Sequence, residues 1–325
     1  MIQLFAASPP FFIGVCLALG LLVGSFLNVV VYRLPIMLHR AWRKEAADWA
    51  AGDAAAAAVE AEAARTGKPT PRALQTGPLT AAPPPAAREE AFNLVVPRSA
   101  CPACKAPITA LQNIPVISYL VLRGRCARCK TRISPRYPIV EAVTGVMSAA
   151  VAWKFGFGLP ALGGLILTWF LIPIILIDFD TQFVPDSLTY PLLWIGLFLS
   201  LWGPIPGAPT PISSHDAVIG ALTGYLSLWS VYHVFLLVTR REGMGYGDFK
   251  LLAALGAWLG AKMLLPLIIA AAAVGSVVGI VAIVASGRDR HTQISFGPFL
   301  AAAGWITLMY GREISSYVGL FAPRS

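Results

Sequence analysis

Charged residues are scarce in this chain. Only 13% of its 325 residues are Asp, Glu, Lys or Arg, whereas 57% are hydrophobic and the mean hydropathy is +0.69. Ordinary soluble domains carry about 25% charged residues. The composition therefore excludes an ordinary soluble domain and predicts a polytopic membrane protein.

Several catalytic signatures are also missing. The sequence contains no GxSxG or HExxH motif, and no glycine-rich loop has the strand and helix that a phosphate cradle needs. Its four histidines are scattered along the chain, at His39, His215, His233 and His291. Serine hydrolase, zinc hydrolase and nucleotide-binding functions are therefore disfavoured.

Long apolar runs make up most of the chain. A helix needs roughly 20 apolar residues to cross a bilayer, and the hydropathy pattern predicts about eight such segments. They lie near 11–32, 138–156, 160–177, 187–204, 216–238, 249–260, 263–286 and 296–311. The predicted fold class is all-α, a polytopic membrane protein with about eight transmembrane helices, although 249–260 is shorter than a full span.

Basic residues favour one orientation in the membrane. With the N-terminus outside, all but four of the 25 Lys and Arg residues fall on the cytoplasmic side, as the positive-inside rule requires. The four exceptions are Lys154, Lys262, Arg312 and Arg324. No basic segment precedes the first apolar run, so we expect a retained span and not a cleaved signal peptide. The net charge of +9 then reflects topology, and nucleic-acid binding is not expected.

One polar segment interrupts the apolar runs and divides the chain into predicted regions. These are a first transmembrane helix at 1–32, a cytoplasmic Ala/Pro-rich insertion at 33–97, a cytoplasmic four-cysteine unit at 98–136 and a transmembrane core at 137–325. Part of the insertion, 46–65, has helical propensity. Residues 67–90 are interpreted as a linker, and the insertion as a whole as low-complexity sequence.

Four of the five cysteines form two CxxC pairs. Cys101 and Cys104 are followed, after 21 residues, by Cys126 and Cys129. Each pair can direct two thiolates at one tetrahedral Zn²⁺, whereas redox-active dithiols or buried thiols are the alternatives. We predict a small zinc-binding insertion whose metal is structural, because a shell of four sulfurs leaves no position for water. Cys16, in the first span, is expected to be a small core residue.

Two aspartates lie where apolar helices meet polar loops, on the same predicted side of the membrane. Asp178 ends the third span, and Asp248 lies in GYGDFK at 245–250. Carboxylates that border hydrocarbon are costly. If the two face each other, repulsion and burial leave one protonated and one ionised, which gives an acid and a base to activate water. The pair predicts a membrane aspartyl protease.

Simpler interpretations of these residues exist. Asp248 could be an N-cap, Asp178 an interfacial residue, and Asp186 the N-cap of the next helix. Gly245 and Gly247 favour the catalytic interpretation, since they permit unusual backbone angles and close contact. The alternative functions are an ion- or proton-coupled membrane transporter and a non-catalytic zinc-bearing assembly protein.

Three further polar residues lie near predicted membrane boundaries. Glu141 could contact a substrate amine or basic partner, or form a structural pair with an arginine. Asn28 is expected to hydrogen-bond between helices. Lys250 is expected to snorkel to the interface.

Several segments, in this order, resemble the type IV prepilin leader peptidases, which are GxGD-type membrane aspartyl proteases of bacteria. The similar segments are GSFLNVVVYRLP at 24–35, the CxxC pairs at 101–129, NIPVISYL at 113–120, ISPRYPIVE at 133–141, Asp178 seven residues before Pro185, and GYGDFK at 245–250. The resemblance implies that Asp178 and Asp248 are the catalytic pair. It also implies that the four paired cysteines bind zinc.

The resemblance further implies substrates, cofactors and location. Such enzymes cut the basic leader from prepilins and type II secretion pseudopilins at the cytoplasmic membrane face, after a glycine, and N-methylate the new N-terminal residue with S-adenosylmethionine. A lipid environment is expected, in the bacterial inner membrane, with the N-terminus outside the cytoplasm. No methyltransferase site is assigned, and Glu141 or the unit at 98–136 is a candidate. The Ala/Pro-rich insertion is longer than the resemblance leads us to expect.

Overall fold

The structure of the chain is a computed structural model. It describes residues 5, 7–66, 92–109, 111–202, 212–241, 243–286 and 295–318. Within these ranges the regular elements are helices, and two isolated β-bridges pair Ala100 with Pro107 and Arg125 with Arg132. The predicted all-α class is therefore confirmed for the described residues. The predicted linker at 67–90 lies outside them.

Nine α-helices have bounds within the described ranges. They are α1 Pro9–Thr66, α2 Ile117–Val121, α3 Arg136–Phe155, α4 Leu159–Thr181, α5 Asp186–Leu199, α6 Ser214–Thr239, α7 Tyr246–Leu259, α8 Ala261–Ser286 and α9 Gly297–Val318. Each of the eight predicted apolar segments coincides with, or overlaps, one of these helices. Sequence periodicity and hydropathy thus locate the helical core correctly.

Four of the helices in the described part of the chain are long and apolar enough to cross a membrane. They are the portion 9–59 of α1, the whole of α4 and α6, and the portion 261–282 of α8. These four agree with predicted spans. The total of eight spans stays a prediction.

The first helix continues far beyond the predicted first span. α1 runs without a break to Thr66, with Pro35 inside it. The part of the predicted insertion at 33–66 is therefore helical, in agreement with the helical propensity noted for 46–65, because alanine strongly favours a helix. By compactness the chain divides into two units, Met1–Val31 with Ala100–Ser325, and Tyr32–Ser99.

A buried arginine organises the second of these units. The guanidinium of Arg33 donates to the carbonyl oxygens of Asn93, at 2.9 Å, and Pro97, at 2.6 Å. Because a buried cation needs partners, these two bonds tie the segment after residue 92 to the beginning of the same unit. Phe92 adds an aromatic face to the Arg33 and Arg40 guanidinium groups.

A short helix, α7, lies at the centre of the other unit. Every residue from Asp248 to Leu259 except Lys250 is buried, and α7 packs against α5, α6, α8 and α9. Its Trp258 donates an indole N–H to the carbonyl oxygen of Leu192 at 2.8 Å. An apolar segment of this length is typical of a buried core helix. The shortness of the predicted span at 249–260 is explained by this position, since other helices surround it.

Two glycines bring α6 and α7 into direct backbone contact. A Cβ added to Gly220 would overlap the carbonyl oxygen of Gly256, and a Cβ on Gly256 would overlap that of Gly220. We expect Gly256→Ala to lower the midpoint of thermal unfolding in detergent, because backbone atoms cannot move aside and overpacking costs about 1–3 kcal/mol. Gly14→Ala is the matched control, since no atom lies within 4 Å of its added Cβ. Equal midpoints in the two variants would contradict this view of the contact.

Candidate active site

Polar residues collect at one end of the helical core. Asp178 lies in the last turn of α4 and is only 1% exposed. Gln182 ends this helix in a left-handed conformation, with φ 54°, and its N–H donates to the carbonyl oxygen of Asp178 at 2.8 Å. The carboxylate is therefore held at the boundary between a buried apolar helix and a tight turn.

Asp248 lies in the first turn of α7 and is 6% exposed. The N-cap of this helix is Gly245, so the interpretation of Asp248 as an N-cap is wrong. Its neighbours Phe249, Leu251 and Leu252 are fully buried in the largest hydrophobic cluster described. A buried carboxylate that does not cap its helix calls for another role.

The two carboxylates meet beside Gly297, the first residue of α9. A Cβ added to Gly297 would overlap Oδ2 of Asp178 and would lie 3.2 Å from Oδ1 of Asp248. Both carboxylates therefore border one small space. A water molecule, which forms hydrogen bonds of about 2.5–3.0 Å to oxygen, can contact both of them there. Two carboxylates that border one space can act on one water molecule, one as acid and the other as base.

Ser295 also contacts this pair. Its hydroxyl donates to Oδ2 of Asp178 at 2.5 Å, across 117 residues of sequence. Neither Ser295 nor Gly297 is predicted from the sequence. The available signal was weak, since Ser, Gly and Pro before an apolar run are ordinary helix-start residues.

Two other acidic residues at this end of the core have cationic partners. Asp180 accepts two hydrogen bonds from the Arg136 guanidinium, at 2.5 and 3.0 Å. Asp186 accepts two from the Lys250 ammonium, at 2.7 and 2.8 Å. Lys250 therefore forms an ion pair and does not simply snorkel. The expected N-cap role of Asp186 is also wrong, because Pro185 precedes it as N-cap of α5.

The two glycines before Asp248 act differently from each other. Gly247 allows close contact, since an added Cβ would lie 2.7 Å from the Cβ of Val184 in the turn between α4 and α5. Gly245 has ordinary extended angles, φ −80° and ψ 147°, and no atom within 4 Å of an added Cβ. The expected close contact is thus present at Gly247, whereas the expected unusual backbone angles are absent at Gly245.

The four paired cysteines form one cluster. Their sulfur atoms all lie within 4.8 Å of one another, and those of Cys101 and Cys129 are 3.7 Å apart. A disulfide requires about 2.05 Å between sulfurs, whereas tetrahedral thiolates at about 2.3 Å from Zn²⁺ are wider apart. The hydroxyl and backbone N–H of Thr131 lower the pKa of Cys129 to about 6. The cluster has the donor chemistry and spacing of a four-thiolate metal site.

Both halves of the cluster have the same backbone fold. In each half the first cysteine, Cys101 or Cys126, donates its N–H to the carbonyl oxygen five residues later at 2.9 Å. Each also accepts the N–H of the lysine four residues later, Lys105 or Lys130, and both lysines have positive φ. This repetition turns two CxxC segments toward one point.

Three other residues predicted from the sequence have structural contacts. Glu141 accepts the backbone N–H of Val116 at 2.7 Å, so it joins α3 to the segment that carries the cysteines, through a backbone amide and not an arginine. Asn28 donates to the carbonyl oxygen of Tyr137 at 3.1 Å, as predicted for a bond between helices. Cys16 is 3% exposed in an apolar cluster, also as predicted.

Known proteins match this chain over nearly its whole length. Residues 18–155 match the bacterial Peptidase A24 N-terminal domain, and residues 165–280 match the type IV leader peptidase family. A protein of Stutzerimonas stutzeri named prepilin leader peptidase/N-methyltransferase is 44% identical over 321 residues, which covers 99% of this chain and 98% of that protein. The chain belongs to the type IV leader peptidase family.

Two more members of the family carry the same name. The Pseudomonas aeruginosa protein is 43% identical over 315 residues, covering 97% of this chain and 96% of that protein. The Neisseria gonorrhoeae protein is 46% identical over 297 residues, covering 91% and 90%. No solved structure matches the chain.

The two matched regions contain different candidate site residues. The leader peptidase match at 165–280 contains Asp178 and Asp248, and the N-terminal match contains the four paired cysteines. Ser295 and Gly297 follow the end of the leader peptidase match. Because the Stutzerimonas stutzeri match covers almost all of both proteins, the two chains have nearly equal lengths. The Ala/Pro-rich insertion therefore does not make this chain longer than that relative.

Proposed function

We propose that this chain removes the leader peptide from type IV prepilins and type II secretion pseudopilins and then N-methylates the new N-terminus. Relatives named prepilin leader peptidase/N-methyltransferase, at 43–46% identity, support both activities. The observation that supports the proteolytic mechanism is the meeting of Asp178 and Asp248 beside Gly297. The chain is a membrane aspartic endopeptidase, and these two aspartates are its catalytic residues.

Hydrolysis begins when one carboxylate is ionised and the other is protonated. The ionised carboxylate takes a proton from a water molecule as the water oxygen bonds to the scissile carbonyl carbon. The protonated carboxyl donates its proton to the carbonyl oxygen, which supports the charge that develops there. Because Asp178 and Asp248 are both buried, these charges interact more strongly than they would in bulk water.

The tetrahedral intermediate then collapses. The carbon–nitrogen bond breaks, and the carboxyl group that received the proton of water gives it to the leaving amine. The carbonyl forms again and returns its proton to the other carboxylate. The products are the leader with a new carboxyl terminus and the pilin with a free amine, and both aspartates regain their starting states.

Methyl transfer must follow cleavage, because cleavage creates the amine that is methylated. S-adenosylmethionine, when bound, supplies a methyl group to that nitrogen, which loses one proton. The protein's contribution is to present the mature N-terminus only after the leader has left.

The four paired cysteines would hold Zn²⁺ in a structural role. Cys101, Cys104, Cys126 and Cys129 offer the four sulfur ligands that such sites use. A closed shell of this kind stabilises the fold of 98–136 and takes no part in peptide hydrolysis.

The position of the aspartates supports cleavage at the cytoplasmic boundary of the bacterial inner membrane. Asp178 lies at the end of α4, and Asp248 at the beginning of α7. In the orientation predicted by basic residues, with the N-terminus outside, this end of the core faces the cytoplasm. A substrate with a polar leader and an apolar helix presents its scissile bond at that depth.

The same position disfavours a transporter. Transporters bind ions and substrates near the bilayer midplane, often at broken helices, whereas these carboxylates lie at helix ends. A zinc-bearing assembly protein without catalysis would have no need for two buried carboxylates around one space.

Mass spectrometry of a pilin's N-terminus tests the proposal. A prepilin of the type II secretion or type IV pilus class, incubated in lipid vesicles with this protein and S-adenosylmethionine, should lose its leader and gain one methyl group on the new amine. Without the protein it should keep its leader. A prepilin left intact by folded, zinc-loaded protein would contradict the proposed peptidase activity.

A further inference from the structure

We propose that Ser295 and Gly297 complete the proteolytic centre. Ser295 is a positioning residue that fixes the Asp178 carboxylate, and Gly297 keeps open the space in which the attacking water lies. This inference rests on the proposed catalytic role of Asp178 and Asp248. It assigns a function to the segment that begins α9.

Ser295 acts on Asp178 through its hydroxyl. That hydroxyl donates to Oδ2 of Asp178, so this oxygen has a fixed partner that is supplied by a different part of the chain. A carboxyl group on a buried helix can still rotate about its last torsion. The hydrogen bond removes that freedom and sets the direction of the second oxygen, Oδ1.

Gly297 has a steric role and not a conformational one. Its backbone is part of the helix α9, where alanine is usually preferred over glycine by about 1 kcal/mol. The three atoms nearest to an added Cβ all belong to the two carboxyl groups: Oδ2 and Cγ of Asp178, and Oδ1 of Asp248. Any side chain at this position would enter the space that the two catalytic groups share.

Another glycine on the same helix provides the contrast. A Cβ added to Gly304 would meet the side chain of Leu255, at 2.6 Å from its Cδ2. Gly304 therefore permits packing between α9 and α7, and a leucine side chain can move aside. Gly297 differs because a Cβ added there would contact the carboxyl groups of Asp178 and Asp248, which are the proposed reacting groups. The pair Gly297→Ala and Gly304→Ala separates a catalytic space from a packing space.

The test measures kcat and KM of full-length variants in lipid vesicles, per folded molecule, with a prepilin that the wild-type protein cleaves. Gly297→Ala should lower kcat at least about 100-fold, because displacement of a catalytic group by about 1 Å has an effect of this size. Gly304→Ala should change kcat little once the folded fraction is counted.

Variants of Ser295 test the positioning role. Ser295→Ala should lower kcat about tenfold or more, since a hydrogen bond to a charged group is lost, and should leave KM nearly unchanged because the hydroxyl contacts Asp178 and not substrate. Ser295→Thr keeps a hydroxyl and should recover most of the rate. Ser227→Ala is the control, since that hydroxyl bonds only to the Gly224 carbonyl of its own helix in the described contacts.

Each outcome decides the inference. A folded Gly297→Ala variant with nearly wild-type kcat would overturn the assignment of Gly297. If Gly297→Ala fails to fold, the Ser295 variants decide, and equal rates for Ser295→Ala and Ser295→Thr would overturn the assignment of Ser295. Asp178→Asn and Asp248→Asn are assayed in parallel. If the two aspartate variants retain cleavage, the proposed function itself fails. If the aspartate variants lose cleavage while the Ser295 and Gly297 variants retain it, only this inference fails.

Discussion

Asp178→Asn and Asp248→Asn should each lower the rate of prepilin cleavage by about 10²–10⁴-fold, the usual range for loss of a general acid or base. Asparagine has nearly the same shape as aspartate but can neither accept the proton of water nor hold an acidic proton. Because the two carboxyl groups border one space beside Gly297, removing either one leaves the other without its partner. Cleavage is followed by mass spectrometry of the mature pilin, with the folded fraction measured in the same preparations.

Asp180→Asn is the matched control for this pair. Asp180 lies two residues from Asp178 on α4, but its carboxylate pairs with Arg136 and both side chains are partly exposed. Exposed ion pairs contribute about 1 kcal/mol at most, so this variant should fold and cleave at close to the wild-type rate. Wild-type cleavage by either Asp178→Asn or Asp248→Asn would contradict the catalytic assignment. An equal loss in Asp180→Asn would indicate general sensitivity of this end of the fold.

The two candidate aspartates could be selected from the sequence because the signal for each is local. Asp178 and Asp248 directly border apolar runs, and an acidic residue in that position is costly whatever the tertiary structure. The helices could be predicted for a similar reason, since hydropathy and periodicity act over 20 residues or fewer. Membrane proteins strengthen this signal, because backbone groups in lipid must be paired within a helix.

Ser295 and Gly297 could not be predicted because their role depends on tertiary contacts. The bond from Ser295 to Asp178 joins residues that are 117 positions apart, and it exists only because α9 begins where α4 ends. The pairing of Lys250 with Asp186, 64 positions apart, is of the same kind. Considered alone, each of these side chains has an ordinary interfacial explanation.

The first helix, α1, is longer than the predicted first span at 11–32. Alanine-rich sequence such as 46–65 is compatible both with a helix and with low-complexity insertion, and the sequence predicted helical propensity there without fixing where the helix ends. The helix in fact continues through Pro35 and ends at Thr66. This extension agrees with the local propensity of 46–65, because alanine has the highest helix propensity of all residues.

A partly buried hydrogen bond connects the unit with four cysteines to α3. Glu141, in the second turn of α3, accepts the N–H of Val116, whose φ of 59° is unusual for a β-branched residue. The same end of α3 carries Arg136, which pairs with Asp180 two residues from Asp178. The four-cysteine unit is thus connected through α3 to α4, the helix that holds the candidate residue Asp178.

Cys101→Ser should therefore remove zinc and lower the yield of folded protein, while affecting chemistry less than the aspartate variants do. Structural Zn²⁺ contributes roughly 10–16 kcal/mol to the folding of small zinc domains, and serine is a poor substitute for a thiolate. Zinc content is measured by elemental analysis of the purified protein.

Cys16→Ala is the matched control, because Cys16 is buried in an apolar cluster and lies far from the other cysteines in sequence. This variant should retain full zinc. Normal zinc content in Cys101→Ser would exclude Cys101 as a ligand. A loss of cleavage per folded molecule as large as that of Asp178→Asn would instead assign the metal a direct part in hydrolysis, against a closed four-sulfur shell.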